Sequence, residues 1–517
     1  MTMGLGTRCG GLRAAACAVL GLLTLALASP AHARSCDELA RLALPTARVT
    51  GANLVAPGTF VAPPPLPGAM GPPPADFSRL PAFCRVMLTL TPSADSDIKA
   101  EIWLPAEGWN GKYVGIGNGI WAGTISYAQM AEPLARGYAV AASDTGHVGN
   151  GLDAEWSVGH PEKLVDFGYR AVHETAVKAK AAIAAFYGRP ASRAIWTSCS
   201  TGGRQGLMEA FRYPEDYDAI SAMAPANPMT DLMVQTVWTG LQASKGSGGR
   251  LSPGKLAAVH AAWLKACDKS DGVADGLVAN PRACAFDPAL AGCKGAGGDD
   301  CLTPAEVAAL RLVYTGVEQG GAHILPGYTP GSEAQLAMLM AGPEPFPVAT
   351  SYMKLVTFHD RAWDFRKFDF VADRGRARAA GAALVDVPAE GLKAFFARGG
   401  KLLLSHGWSD GLIPAENTVA FERRLAKALP GAAQRLFMVP DMGHCGGGAG
   451  PFVFDVLGIV DRWAETGIAP ERIVATSPPG APKRSRPLCA WPEVAVWRGK
   501  ASAGDSFETF ACQSVTG

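Results

Sequence analysis

Apolar and polar positions alternate between Val86 and Leu104, first in VMLTLTP and then in IKAEIWLP, and this period of two predicts a pair of half-buried β-strands. A further strand is predicted within WNGKYVGIGNG, closed by a glycine turn, and another in the apolar run GYAVAASD, Gly137 to Asp144. The period then changes. Phe167 to Tyr187 carries apolar residues at helical spacing, Arg193 to Thr197 is a short apolar strand, and the glycines after it open a second helix. Strand, glycine turn and helix in repetition are the pattern of a parallel α/β sheet. After Pro225 the pattern breaks up: residues 227–391 hold Gly-rich and Pro-rich stretches, four cysteines and weak helices such as Pro253 to Ala266 and Pro304 to Tyr314. It resumes with the strand Gly400 to His406, the helix Ala415 to Ala428, the strand Arg435 to Val439 and a closing helix, Pro451 to Thr466. The expectation is an α/β core of residues 34–226 and 392–517, interrupted by an inserted domain, 227–391. After the start of that core range, Ala56 to Pro74 is Pro-rich and reads as an extended surface arm, with organised structure beginning near Cys84.

Composition narrows the function classes. At 517 residues, 48% hydrophobic against 18% charged, the chain can bury a large core and is no disordered protein. With 47 Lys and Arg against 46 Asp and Glu, it has no field to hold nucleic acid or an anionic membrane surface. Its start has the parts of a secretory signal, residues 1–33: Arg8 and Arg13, the uncharged run Ala14 to Ala28, and a small-x-small site at Ala31-His32-Ala33. A mature chain from Arg34, secreted or periplasmic, is expected, and losing the two arginines takes its formal charge from +1 to −1. No later run is apolar for long enough to span a bilayer, so no membrane partner is expected, and oligomeric state leaves no mark in the sequence. Ten of the 12 cysteines lie beyond Arg34, an even set that reads as disulfides in an oxidising compartment; zinc is disfavoured because no Cys-x-x-Cys pair occurs.

Candidate chemistry begins at Ser198-Cys199-Ser200-Thr201-Gly202, between an apolar strand and a helix. This is the setting of the nucleophile elbow of an α/β-hydrolase, where a tight turn exposes the serine hydroxyl and frees the next backbone N–H for an oxyanion. The usual first glycine is here Ser198, and a capped helix start is the bland alternative. Chain order adds weight, since this fold presents Ser, then an acid, then His. Asp410 follows the strand ending at His406, and His444 lies in the loop after Val439; His406 and His147 are the rival histidines. Both Ser200 and His444 adjoin a cysteine, so a Cys199–Cys445 bond would tie nucleophile to base. Sequence neighbours suggest four more bonds: Cys36–Cys84, Cys267–Cys284, Cys293–Cys301 and Cys489–Cys512.

The Cys-Ser, Asp, His-Cys set resembles the signature of the tannase and feruloyl esterase family, which also contains bacterial mono(2-hydroxyethyl) terephthalate hydrolase. The resemblance extends through SDTGH at Ser143 to His147, FGYRAVHE at Phe167 to Glu174, STGGRQGLMEAFRYPEDYDAI at Ser200 to Ile220 and MGHCGGG at Met442 to Gly448. It implies an α/β-hydrolase fold with a large inserted lid. It implies too that Ser200 is the nucleophile, Asp410 the orienting acid and His444 the general base. Oxyanion donors would be the N–H of Thr201 and one from Gly117 to Ile120, assigned to Gly119. A structural calcium site is implied on the carboxylates of Asp268, Asp271 and Asp275 and the carbonyls of Val273 and Leu277, residues that taken alone read equally well as a solvated acidic turn. The implied substrates are small esters of hydroxycinnamic or gallic-type acids, with a terephthalate monoester as the alternative. Aromatics at Trp238, Phe346, Tyr352, Phe358 and Trp363, with Ile413, are candidates to line the pocket. A calcium-dependent extracellular binding module is the rival of another class; it leaves the Ser, Asp, His order unexplained.

Overall fold

The computed structural model describes residues 34–67, 75–246, 251–295, 297–499 and 505–514. The signal reading at residues 1–33 and the end of the Pro-rich stretch fall outside them. Nine strands form one sheet: β1 Ala47–Val55, β2 Phe83–Leu90, β3 Ile98–Pro105, β4 Lys112–Ile116, β5 Ala139–Ser143, β6 Arg193–Cys199, β7 Ala219–Met223, β8 Lys401–Gly407 and β9 Gln434–Val439. Their spatial order is β1-β2-β3-β5-β4-β6-β7-β8-β9. From β5 to β9 every pairing is parallel, as the strand-turn-helix pattern predicts, whereas β1, β2, β3 and β5 pair antiparallel, so the sheet is mixed.

The period of two in the strands explains how the sheet is covered on both sides. In β8, Leu402 and Leu404 face one layer and Leu403 the other, all fully buried. One layer is built from the helices Ala171–Tyr187, Thr201–Arg212 and Ala415–Ala428, through side chains such as Ile183, Leu207 and Leu425; the other packs the helices Tyr127–Ala135 and Val456–Thr466 through Leu134 and Trp463. Each leucine so buried stabilises the fold by roughly 1.5 to 3 kcal/mol. Between β7 and β8 the described residues add no strand to this sheet. They form instead the helices Met229–Gly246, Pro253–Cys267, Pro304–Thr315, Glu333–Met340 and Phe370–Val385, with a small hairpin, Gly316–Gln319 against Ala322–Pro326.

Three differences from the sequence reading have physical causes. Organised structure begins before Cys84: β1 pairs with β2 as an edge strand, and its alternation is blurred because both of its faces are partly exposed. The Pro-rich arm is not wholly a surface feature, since Phe60 is buried against Phe83 and Trp103. The C-terminal tail holds two hairpins, Arg472–Thr476 with Ser485–Cys489 and Glu493–Trp497 with Phe510–Ser514.

Candidate active site

β6 delivers the chain at Cys199, and the helix Thr201–Arg212 starts one residue later, so Ser200 must make the whole turn. It does so at φ 64°, ψ −127°, a conformation that L-residues avoid at a cost of about 1 to 3 kcal/mol and that lifts the side chain off the sheet. The glycines that follow are required by close approach. A Cβ on Gly203 would lie 2.6 Å from the carbonyl oxygen of Met223, and one on Gly202 would collide with Ser198 Oγ. Ser198, standing where the usual motif has glycine, is thus accommodated because its partner across the turn has no side chain.

His444 and Asp410 reach the same place from the ends of β9 and β8. Ser200 Oγ donates to His444 Nε2 at 2.9 Å, and His444 Nδ1 donates to Asp410 Oδ2 at 2.7 Å. Asp410 is fully buried, yet every lone pair it offers is used: Oδ1 accepts from the N–H groups of Leu412 and Ile413 at 2.9 and 2.8 Å, and Oδ2 also accepts from His406 Nε2 at 3.0 Å. Burial would raise this carboxyl, but His444 and His406 outweigh burial and hold it well below the usual carboxylate range. An ionised Asp410 can only accept, so the proton of His444 is fixed on Nδ1 and Nε2 is left as the acceptor facing Ser200.

The rivals fall into other roles. His406 stands behind the acid, its Nδ1 at 2.7 Å from Thr418 Oγ1, and so supports Asp410 rather than replacing His444. His147 is buried against Trp156 with ring centroids 3.9 Å apart, and its Nε2 donates to the Trp121 carbonyl at 2.7 Å. Burial pushes it down to about 4, leaving it neutral and structural. Asp441, the other acid near His444, accepts from Ser409 Oγ and the Ala449 N–H instead.

Two further features tie the loops together. Cys199 and Cys445 are bonded across a sequence separation of 246, and the remaining pairs are Cys36–Cys84, Cys267–Cys284, Cys293–Cys301 and Cys489–Cys512. Gln335, on the helix Glu333–Met340, accepts through one oxygen from the N–H of His444 at 2.7 Å and the N–H of Gly411 at 3.2 Å. Nothing in the sequence marks Gln335, which lies 109 residues from His444.

The N–H of Thr201 opens its helix and has no intrahelical acceptor. Its hydroxyl donates to the Ile120 carbonyl at 3.0 Å, which fixes the turn Gly117 to Ile120 beside Ser200. Ile120, at φ 45°, lines the cavity over Ser200 and His444, whereas Gly119 does not. Met229, Leu232, Met233 and Ile413 line it too. Of the five aromatics singled out in the sequence, Phe346 alone is among the described lining residues. Tyr352 stacks on Trp121 in the core, and Phe358 stacks on Trp363. A wider cleft of about 740 Å³, bordered by Arg282, Glu416 and Arg423, contains no member of the Ser200, His444, Asp410 set.

The acidic loop follows the helix Pro253–Cys267. Asp268 accepts from the N–H groups of Asp275 and Gly276, Asp271 from Val273 and Asp275 from Leu277, and Asp275 is ion-paired with Arg486. Burial, with the charges of Asp275 and Asp268, raises Asp271 to about 6. Crowded carboxylates short of countercharge suit a hard cation in kind. Their oxygens do not close on one point, however. Among the described residues, His173, Glu209 and Asp216 form the one trio whose ligand atoms all lie within 4.8 Å. There Asp216 already accepts from His173 at 2.6 Å and Lys180 at 3.3 Å.

The profile of the tannase and feruloyl esterase family matches residues 84–350 and 348–512. The chain belongs to that family. An esterase of Xanthomonas campestris pv. campestris is 34% identical to this tannase-family chain, with 96% of this chain and 93% of that one covered. The mono(2-hydroxyethyl) terephthalate hydrolase of Piscinibacter sakaiensis is 32% identical, covering 85% and 86%. The crystal structure of feruloyl esterase B from Aspergillus oryzae superposes with a TM-score of 0.84 at 26% identity, over 92% of this chain and 99% of that one. The tannase-family chain is therefore an esterase with the α/β-hydrolase fold, and the binding-module reading is set aside.

Proposed function

We propose that this esterase is exported and cleaves esters of aromatic acids through an acyl-enzyme on Ser200. The observation that carries the reading is the continuous contact series from Asp410 through His444 to Ser200 Oγ, opening on an apolar cavity. As Ser200 Oγ attacks the ester carbonyl, His444 Nε2 takes its proton, and Asp410 supports the imidazolium that forms. The N–H of Thr201 and one from the Gly119-Ile120 turn hold the developing oxyanion. His444 then returns the proton to the leaving alcohol, and water releases the acid by the reverse sequence. Residues 227–391 act as a lid, since they supply Phe346 and the methionines over the serine. Five disulfides support an oxidising destination. Among the described residues no helix is long and apolar enough to cross a membrane.

Calcium is proposed as a structural ion that, on binding, would draw the separated carboxylates of Asp268, Asp271 and Asp275 together with the carbonyls of Val273 and Leu277. It would neutralise the acidic loop and takes no part in the chemical step.

The deciding experiment is labelling with a fluorophosphonate followed by peptide mapping, beside turnover of Ser200→Ala on methyl ferulate. The label is expected on Ser200, and the variant should lose at least about a thousandfold in kcat with an unchanged melting temperature. A variant that keeps wild-type turnover sinks the assignment.

A further inference from the structure

The reading of Ser200 as nucleophile makes the cavity above it the site that receives the acid, because in a methyl ester the acid is the only group large enough to fill it. Among the described residues, the walls carry no Lys, Arg, Asp, Glu, Asn, Gln, Tyr or Trp side chain. Apart from Ser200 and His444, the polar side chains are two threonines. Both have committed their proton: Thr201 Oγ1 donates to the Ile120 carbonyl at 3.0 Å and Thr236 Oγ1 to the Leu232 carbonyl at 2.9 Å. Thr236 also meets the Tyr328 hydroxyl, so neither threonine is a free partner for a charged group. A carboxylate, which can only accept, has no free side-chain donor away from the catalytic pair.

Shape points the same way. The space open to the centre of a water molecule is about 50 Å³, against about 550 Å³ in a neighbouring cleft that shares Phe346 as its wall. So small an apolar space favours a compact acid, and Met229 and Met233 can adjust around it. The cations of this region, Lys354 and Arg361, border that neighbouring cleft and do not line the cavity over Ser200, and Arg361 is paired with Glu155 at 2.7 Å.

We propose that the cavity selects esters of compact, uncharged aromatic acids and rejects acids with a second carboxylate, the group carried by a terephthalate monoester. A buried charge without a partner is among the costliest arrangements a binding site can hold, and the cost is already present when the ester binds. The likeness to a terephthalate monoester hydrolase therefore does not extend to its substrate.

The test is a matched pair, methyl 4-acetylbenzoate and monomethyl terephthalate, which differ in a neutral acetyl against a carboxylate of nearly the same shape. For wild-type protein, kcat/KM for each is divided by the rate constant of hydroxide-catalysed hydrolysis of that ester, to remove intrinsic reactivity. The corrected ratio should favour the acetyl ester by at least about tenfold, the equivalent of roughly 1.4 kcal/mol. A ratio below that overturns the proposal. If neither ester is cleaved and no phosphonate reaches Ser200, the nucleophile reading fails instead, so the two failures are distinguishable. Leu339→Arg, which places a guanidinium in the cavity, should lower the ratio within the same preparation.

Discussion

Asp410 receives two imidazoles on one oxygen, and the second, from His406, holds the carboxylate rotamer that orients His444. His406→Leu keeps most of the volume and removes the donor. It should cut kcat by roughly tenfold to a hundredfold through misorientation, with a smaller change in KM, measured on methyl ferulate well below the melting temperature. Asp144 makes a prediction about pH. It is buried and raised to about 7 by desolvation, although the N–H groups of Lys99 and Gly146 donate to it. Its folded value exceeds the ordinary 3.8, so folding favours the protonated form. The stabilising contribution is complete below 3.8 and is lost as pH rises through about 7. Asp144→Asn keeps the acceptor without the charge, and its melting temperature should gain on wild type between pH 5 and pH 8; a difference independent of pH would contradict this account. At this scale the sequence was most legible where a turn forces a residue type. Ser200 with its glycines announces a strained elbow. Gln335 announces nothing, because a single amide bridging two loops leaves no local pattern.

Among the elements, those with strong periodicity were readable and those without it were not. The helix Ala415–Ala428 and the strand β8 have the predicted character because an amphipathic or fully apolar run has one sensible use. β7, Ala219–Met223, was not anticipated as a strand: five small or mixed residues acquire their identity from β6 and β8 on either side. The same holds for the C-terminal hairpins, each of which pairs its own two strands and meets the large sheet only through a single bridge from Ala490 to Phe437 among the described residues. The elbow and the base loop are joined by Cys199–Cys445, and both Ser200 and Cys445 sit at positive φ. The bond therefore clamps two strained turns. Cys199→Ala with Cys445→Ala should lower turnover by about a hundredfold at temperatures where the fold is intact, since a displacement near 1 Å suffices. Cys489→Ala with Cys512→Ala should instead lower stability, by about 2 to 4 kcal/mol, and leave turnover nearly unchanged. Equal turnover losses in the two pairs would show that neither bond has a special tie to the site.

For the whole molecule, the acidic loop is a junction. Arg484 donates to the Asp275 carbonyl at 2.9 Å and Arg486 pairs with its carboxylate, so the C-terminal hairpins grip the loop between Cys267 and Cys284. With calcium as the proposed occupant, exhaustive chelation should lower the melting temperature by several degrees, and Asp271→Ala should do so without chelator. Turnover at 25 °C should be nearly unaffected in both cases, as the loop contributes no residue to the cavity over Ser200. Melting curves that coincide with and without chelator, at a measured calcium content of zero, would remove the ion.

Gln335 has a consequence for recombining relatives. Because one side-chain oxygen from the insert seats both Gly411 and His444, the segment between β7 and β8 is less interchangeable than its position outside the large sheet suggests. A chimera that imports another member's insert would import its acid preference, but it would also import, or lose, the seat of its own base. Retaining a glutamine at that helical position is the condition under which such swapping trades specificity without trading away rate.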